Sequence, residues 1–378
     1  MSGSGWYDWS DLPQEIIALI FDCRKLDPID ILRCRIVCKS WLSASSQEYQ
    51  KYFPLCLIRR VGEEEEGYDS HKLFSISTQE HDDERRKIQL PEGQRICCWS
   101  NGWLLTVEID ASPYPQLRLL NLFSRAQILL PPANTLVHHR SLGYEWSAAT
   151  YIQKAIVVST SDDDLIILIH YCDRTEVAFC KPSDERWTCF NPPSDFFGRC
   201  LKGYGYDYVD VIFYKNQFYG LFRWGSMVVF QLSPEPKEIN FRVTCWTPCP
   251  YDFMFLVESA VDGELLVVSC QFNFEAPPEK VIDFEVGRLD LTRKVWVKVE
   301  DDYLRGQALL LCDGFCVSIP TAAANSTSNN IFRGNRIIFE HVIPSCHSST
   351  MLMHDLGTAQ TELLYPHSNT RELVSIHW

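Results

Sequence analysis

Hydrophobic positions follow two different periods along this chain, and the change falls near residue 55. Between Trp9 and Ser46 the apolar residues Ile16, Ile17, Leu19, Ile20 and Phe21 recur at helical spacing. Pro13 stands where a first helical turn tolerates proline, since an N–H there has no intrahelical partner. Glu15 complements the positive end of that helix. A second start signal follows, with Asp27 as cap, Pro28 in the first helical position and Asp30 three residues after the cap. Its apolar face is Ile31, Leu32, Cys34, Ile36 and Val37. A third short helix carries Cys38, Trp41 and Leu42 and ends in Ser43–Ser46. Three short helices cannot bury this much apolar surface by themselves. The pattern predicts a compact helical module over residues 9–50, behind a disordered Ser/Gly leader at 1–8, with an apolar face left over for another protein.

From Leu55 onward helical spacing gives way to short runs rich in Val, Ile, Phe, Tyr and Leu, such as Trp103–Val107, Ala155–Ser159, Leu165–Tyr171, Gln217–Phe222 and Leu265–Phe272. Turn pairs separate them, among them Lys215-Asn216, Asp262-Gly263 and Asp313-Gly314. Consecutive short strands over residues 55–378, with no helical stretch between them, predict a large all-β domain. One outline recurs in it: a strand, a polar turn, then a second strand closing near Leu-Pro or Trp. Leu117–Pro131, Val177–Trp187 and Gly287–Trp296 show it clearly; Leu73–Pro91, Val228–Val243 and Met351–Leu364 are weaker copies. The copies start 44 to 64 residues apart, room for one four-stranded blade plus loops. The expected fold is therefore a small all-α module followed by an all-β propeller of six blades, seven being the alternative. Neither the Gly-Gly pair of kelch repeats nor the Trp-Asp pair of WD repeats occurs.

The helical segment resembles an F-box. The matching positions are Leu12-Pro13-x-Glu15-Ile16-Ile17-x-x-Ile20-Phe21, then Leu26-Asp27-x-x-Asp30-Ile31-Leu32-Arg33-Cys34, then Val37-Cys38-Lys39-x-Trp41. The link at Cys23-Arg24-Lys25 is slightly long for the family. The resemblance implies docking onto a Skp-type adaptor and, through it, a cullin-RING ubiquitin ligase. The adaptor-binding residues it implies are Leu12, Pro13, Ile16, Ile17, Ile20, Leu32, Arg33, Val37, Cys38 and Trp41. Leu12 and Pro13 read as interface, whereas Leu32 and Trp41 read equally well as core of the module. The second segment resembles the KIB-type β-propeller of plant F-box proteins over most of residues 70–365. Asn101-Gly102-Trp103-Leu104-Leu105-Thr106, Glu185-Arg186-Trp187-Thr188, Val211–Tyr219, Gly263-Glu264-Leu265-Leu266-Val267-Val268 and Gly334-Asn335-Arg336-Ile337-Ile338-Phe339 carry it, with Ile338 where the family commonly has Tyr. Gly102, Trp103, Gly334 and Asn335 read as turn and core features before they read as a binding site.

Composition narrows the function. A formal net charge of −14 argues against phosphate-driven nucleic-acid binding. No apolar run approaches membrane-spanning length. Met1–Gly5 has neither a basic nor an apolar export region, which places the chain in the nucleus or cytoplasm. The 16 cysteines then read as reduced, buried thiols. There is no Cys-x-x-Cys, and Cys346, His347 and His354 lack the second ligand pair that structural zinc wants. No phosphate-cradling, nucleophile-elbow or metalloprotease motif is present, and Asp162-Asp163-Asp164 lacks the spacing of a calcium loop. The expectation is a non-catalytic target-receptor subunit of an SCF-type ligase with no cofactor or metal. Its partners would be the Skp-type adaptor and an unidentified protein target on the propeller. Two alternatives stand beside it: a propeller hydrolase or lyase with carboxylates and histidines at the channel mouth, and an adaptor-binding F-box protein that acts without ubiquitination.

Overall fold

The structure, a computed structural model, describes residues 9, 12–22, 34, 38–44, 56–61, 70–75, 87–88, 90–108, 116–122, 124–136, 152–159, 164–171, 176–190, 208–222, 225–233, 236–241, 243, 253–272, 281–300, 302–312, 314–321, 330–343, 348–365 and 373–376. Two helices of the N-terminal module lie in these ranges: α1, Gln14–Asp22, and α2, Lys39–Ala44. The Pro13 carbonyl accepts from the N–H groups of Ile16 and Ile17 and so opens α1. Ile17, Phe21 and Trp41 form the buried core between the helices, and Leu12, Ile20, Cys34 and Cys38 pack against it. The predicted second helix, with the leader and the Cys23-Arg24-Lys25 link, lies outside the described residues except for Cys34, which is helical.

The β segment folds into antiparallel sheets that succeed one another along the chain. Blade one is Gln94–Ser100, Trp103–Glu108, Leu117–Asn121 and Gln127–Leu129. Blade two is Ile152–Ser159, Leu165–Tyr171, Glu176–Cys180 and Thr188–Cys189. Blade three is Tyr208–Tyr214, Gln217–Phe222, Met227–Gln231 and Lys237–Phe241. Blade four is Phe253–Glu258, Leu265–Phe272, Val281–Asp290 and Val295–Lys298. Blade five holds five strands, Gln307–Cys312, Phe315–Pro320, Arg336–Ile343, Ser348–Asp355 and Gln360–Tyr365. In blade five Phe315–Pro320 lies at the edge of the sheet, and Gln307–Cys312 pairs in parallel with Arg336–Ile343.

The six blades expected, or the alternative of seven, are corrected here: five sheets have a described, packed interior. A further sheet pairs Cys56–Val61 with Ser70–Ser75 and with Leu373–Ile376, and Ser70–Ser75 with Lys87–Ile88; the side chains of these strands lie outside the described residues. The repeat copy starting at Leu73 falls in this sheet. Spacing along the chain marks hairpins, and a hairpin does not by itself define a packed blade.

The apolar core lies between blades, as radial stacking requires. One cluster joins Leu105, Leu117 and Leu119 of blade one to Ile167, Ile169 and Tyr171 of blade two. Another joins Leu168 and Phe179 of blade two to Val211 and Phe230 of blade three. The same holds for blades three and four through Leu221, Leu256 and Trp296, and for blades four and five through Val268, Leu309 and Phe339.

Candidate functional site

On α1 the adjacent residues Ile16 and Ile17 have opposite fates. Ile17 is fully buried, whereas Ile16 is 44% exposed and Leu19 is 60% exposed. Leu42 on α2 is 42% exposed. Pro13 is exposed, Leu12, Ile20 and Cys38 are half-buried, and Trp41 is buried. The Trp41 indole donates to the Trp9 carbonyl at 2.8 Å, and its ring meets Phe21 and Trp9 edge-on. Of the ten adaptor-binding positions, then, Ile17 and Trp41 build the module and Leu12, Pro13, Ile16, Ile20 and Cys38 reach its surface. Leu32, Arg33 and Val37 lie outside the described residues. Leu19 and Leu42 were missed as surface positions. Their signal was the helical spacing itself, since residues 16 and 19 share a face.

The second candidate site is the channel at the centre of the propeller. It holds a cavity of about 590 Å³ lined by the inner strands of all five blades, including Trp99, Lys154, Phe213, Glu258, Ser318 and Phe315. Neighbouring inner strands are tied to each other by side chains. Ser100 Oγ accepts from the Val157 N–H at 2.9 Å and Asn101 Nδ2 donates to the Val157 carbonyl at 2.7 Å. Lys154 Nζ meets Asp210 Oδ1 at 2.6 Å, and Asp210 Oδ2 accepts from the Leu256 N–H at 2.8 Å. Asp210 therefore engages blades two and four from blade three. Tyr214 donates to the Gly263 carbonyl at 2.9 Å. Gln307 Oε1 gathers Ser318, Ser259 and the Ala260 N–H between blades four and five.

Two tryptophans of the recurring outline join blades at the periphery. Trp187 donates to the Pro131 carbonyl and Trp296 to the Gly225 carbonyl, each at 2.9 Å. The two residues that close repeat copies, Pro131 and Trp187, thus bond to each other. Gly334-Asn335 is a packing feature. A Cβ at Gly334 would stand 1.8 Å from the Arg305 carbonyl oxygen, and the Asn335 N–H donates to the Leu304 carbonyl. Asn101, Lys215, Asn216, Gly102 and Gly263 all take positive φ in the turns after inner strands.

His354 Nδ1 lies 2.9 Å from Thr361 Oγ1 in blade five, and Asp164 pairs with Lys181 at 2.6 Å. Cys346, His347 and Asp162-Asp163 lie outside the described residues. Among the described residues no group of three His, Cys, Asp or Glu is placed to hold a metal ion. The described cavity lining has no histidine, and its carboxylate is Glu258. Burial pushes the Glu258 carboxyl up, and the Lys215 ammonium opposes that shift.

Two segments of the chain match known families. Residues 9–57 match the F-box-like family and residues 73–371 match the KIB1-4 beta-propeller family. The Arabidopsis thaliana F-box protein At4g22170 is 32% identical, over 98% of this chain and 95% of its own length. F-box protein At5g55150 of the same plant is 26% identical over 88% of this chain and 84% of its own length. F-box protein SKIP23, also from Arabidopsis thaliana, is 24% identical over 86% and 85% respectively. An N-terminal helical module built around Ile17, Phe21 and Trp41, followed by a propeller matched over nearly all of its length, makes this chain a member of the F-box proteins that carry a KIB1-4 β-propeller.

Proposed function

We propose that this chain is the target-receptor subunit of an SCF-type cullin-RING ubiquitin ligase, working in the nucleus or cytoplasm. The F-box module docks a Skp-type adaptor through Leu12, Pro13, Ile16, Ile20 and Cys38; Leu32, Arg33 and Val37 belong to the adaptor-binding set that the F-box resemblance implies. Ile17 and Trp41 contribute by holding the two helices together. The propeller presents the target. Catalysis belongs to the recruited ubiquitin machinery, and the receptor acts by raising the target's effective concentration beside it.

The observation that carries this reading is the split between Ile17 and Ile16. A small module that already spends Ile17, Phe21 and Trp41 on its own core still displays Ile16, Leu19 and Leu42 to solvent. An amphipathic helix with a spare apolar stripe is the form in which helical segments enter a partner's groove. The propeller-enzyme reading draws no support from the channel, where Asp210 is occupied by Lys154 and two backbone N–H groups. The test is co-purification with a Skp-type adaptor of the wild type and of a Leu12→Ala/Pro13→Ala double variant. Binding by the wild type and its loss in the variant support the reading.

A further inference from the structure

The channel has two unlike ends. The inner strands of blades one, three and four leave through the turns at Asn101-Gly102, Lys215-Asn216 and Ala260–Gly263. These turns share one end, because the Asn101 amide reaches Val157 near the end of its strand and Tyr214 reaches Gly263. Blade five behaves differently. Its turn between Cys312 and Phe315 enters the channel from the other end. A Cβ at Gly314, which has φ +85°, would stand 2.8 Å from the Gln153 carbonyl oxygen at the start of blade two. Blades two and five are not neighbours in chain order, so this contact spans the channel. Among the described residues, the Gly314 turn thus crosses one end of this cavity, a cup that Glu258 lines toward the other end.

The polar groups of the cup are mostly used. Lys154 is held by Asp210, Asn101 by Val157, and Ser259 and Ser318 by Gln307. Glu258 is different: among the described residues its carboxylate is engaged by no hydrogen bond or ion pair. It lines the cavity beside apolar walls that include Trp99, Phe213 and Phe315. The turn that follows it carries two more acids. Hydrogen bonds from Ser259, Tyr303 and the Glu264 N–H outweigh the effect of burial and hold the Asp262 carboxyl below its usual range, so it is ionised at neutral pH. Glu264 follows it, and the chain as a whole carries −14. The rim's own cation, Lys215, is turned onto the ring of Tyr214, with Nζ 4.9 Å from the centroid.

An apolar-walled cup with a carboxylate at its mouth matches one kind of side chain: an aliphatic stem ending in a cation. We infer that the cup receives an arginine or lysine side chain from an extended segment of the target protein, with Glu258 as its counter-charge. This rests on the propeller being the target-binding part of the receptor. The cavity is larger than one side chain, leaving room for a flanking residue against the aromatic wall.

The test uses the full chain purified with a Skp-type adaptor. The probes are four fluorescein-labelled Gly/Ser hexapeptides that differ in one central residue: arginine, lysine, glutamine or glutamate. The arginine and lysine peptides are expected to bind saturably, and the glutamine and glutamate peptides not. Glu258→Gln should weaken the arginine peptide about tenfold, the size of one lost charge pair at a partly desolvated site. Lys215→Ala should tighten it by removing the competing cation. Equal binding of all four peptides, no saturable binding by any, or an arginine affinity unchanged by Glu258→Gln would overturn the proposal. Adaptor retention is read in the same samples, so a failure of the receptor reading shows separately as loss of the adaptor from the wild type.

Discussion

Lys154 Nζ lies 2.6 Å from Asp210 Oδ1, and the two side chains, 11% and 7% exposed, join blade two to blade three inside the ring. Asp210 also accepts from the N–H groups of Val211 and Leu256, so three blades converge on one carboxylate. A buried pair adds little over an apolar replacement, but breaking it strands a charge. Lys154→Met should therefore destabilise the propeller by about 3–5 kcal/mol in denaturant unfolding. Adding Asp210→Asn should recover part of the loss, because the stranded charge goes while an acceptor oxygen remains. A Lys154→Met variant of wild-type stability would remove the pair from the account of how the ring is held.

The two peripheral tryptophans make a parallel case. Trp187→Phe and Trp296→Phe keep an aromatic ring in place but remove the donor to the Pro131 or Gly225 carbonyl and the volume of the second indole ring. Each should cost more than about 1–3 kcal/mol, because a cavity adds to the penalty for leaving a buried acceptor unpaired. Similar losses from the two variants in thermal melts would mark them as equivalent clasps at two blade junctions. A loss confined to one would show that the repeat outline hides different roles.

Gly334 is constrained by space and Gly93 by backbone angle, so the same substitution should act differently at the two sites. A Cβ at Gly334 would collide with the Arg305 backbone at 1.8 Å, whereas at Gly93, with φ +72°, nothing lies within 4 Å. Gly93→Ala should cost about 1–2 kcal/mol, the ordinary charge for a left-handed backbone. Gly334→Ala should cost more than about 4 kcal/mol, in the range that marks a severe steric fault. Soluble expression and thermal midpoints of the two variants distinguish them.

The Tyr303 hydroxyl donates to Asp262 Oδ2 at 2.6 Å and gives stability two pH edges. Asp262 is depressed in the folded state, so its contribution is present above its unfolded value and is lost as pH falls through the lower folded value. Burial and the bond to Asp262 raise the Tyr303 hydroxyl, so its contribution is full below the unfolded tyrosine value and is lost as pH rises through the higher folded value. Tyr303→Phe should lower the plateau between these edges, make the acid loss shallower and remove the tyrosine part of the alkaline loss. Melting temperatures measured across pH test all three; identical profiles for the two proteins would contradict the pairing.

Much of this architecture is legible locally. The Pro13-Gln14-Glu15 start, the apolar run through Phe21, the strands and their Lys215-Asn216 and Asp262-Gly263 turns all depend on neighbours within a few residues, and the structure places them where the pattern does. What escaped depends on tertiary docking. Ile16 and Ile17 are chemically identical and adjacent, and only the position of Phe21 and Trp41 decides which is buried. Lys154 and Asp210 are 56 residues apart, and no periodicity links them. The Asp313-Gly314 turn was readable, but its reach to Gln153 was not, because a turn signal says nothing about what lies across a channel. Glu258 had no motif around it and became a candidate only when the inner strands closed around the cavity.

Whether the F-box face is a working adaptor dock is decided by co-purification with a Skp-type adaptor of the wild type beside the Leu12→Ala/Pro13→Ala variant, with a thermal melt confirming that both propellers are folded. The wild type should retain the adaptor and the variant lose it, since truncating interface hot spots costs more than about 2 kcal/mol. Equal retention by the two proteins, or no retention by a folded wild type, would contradict it.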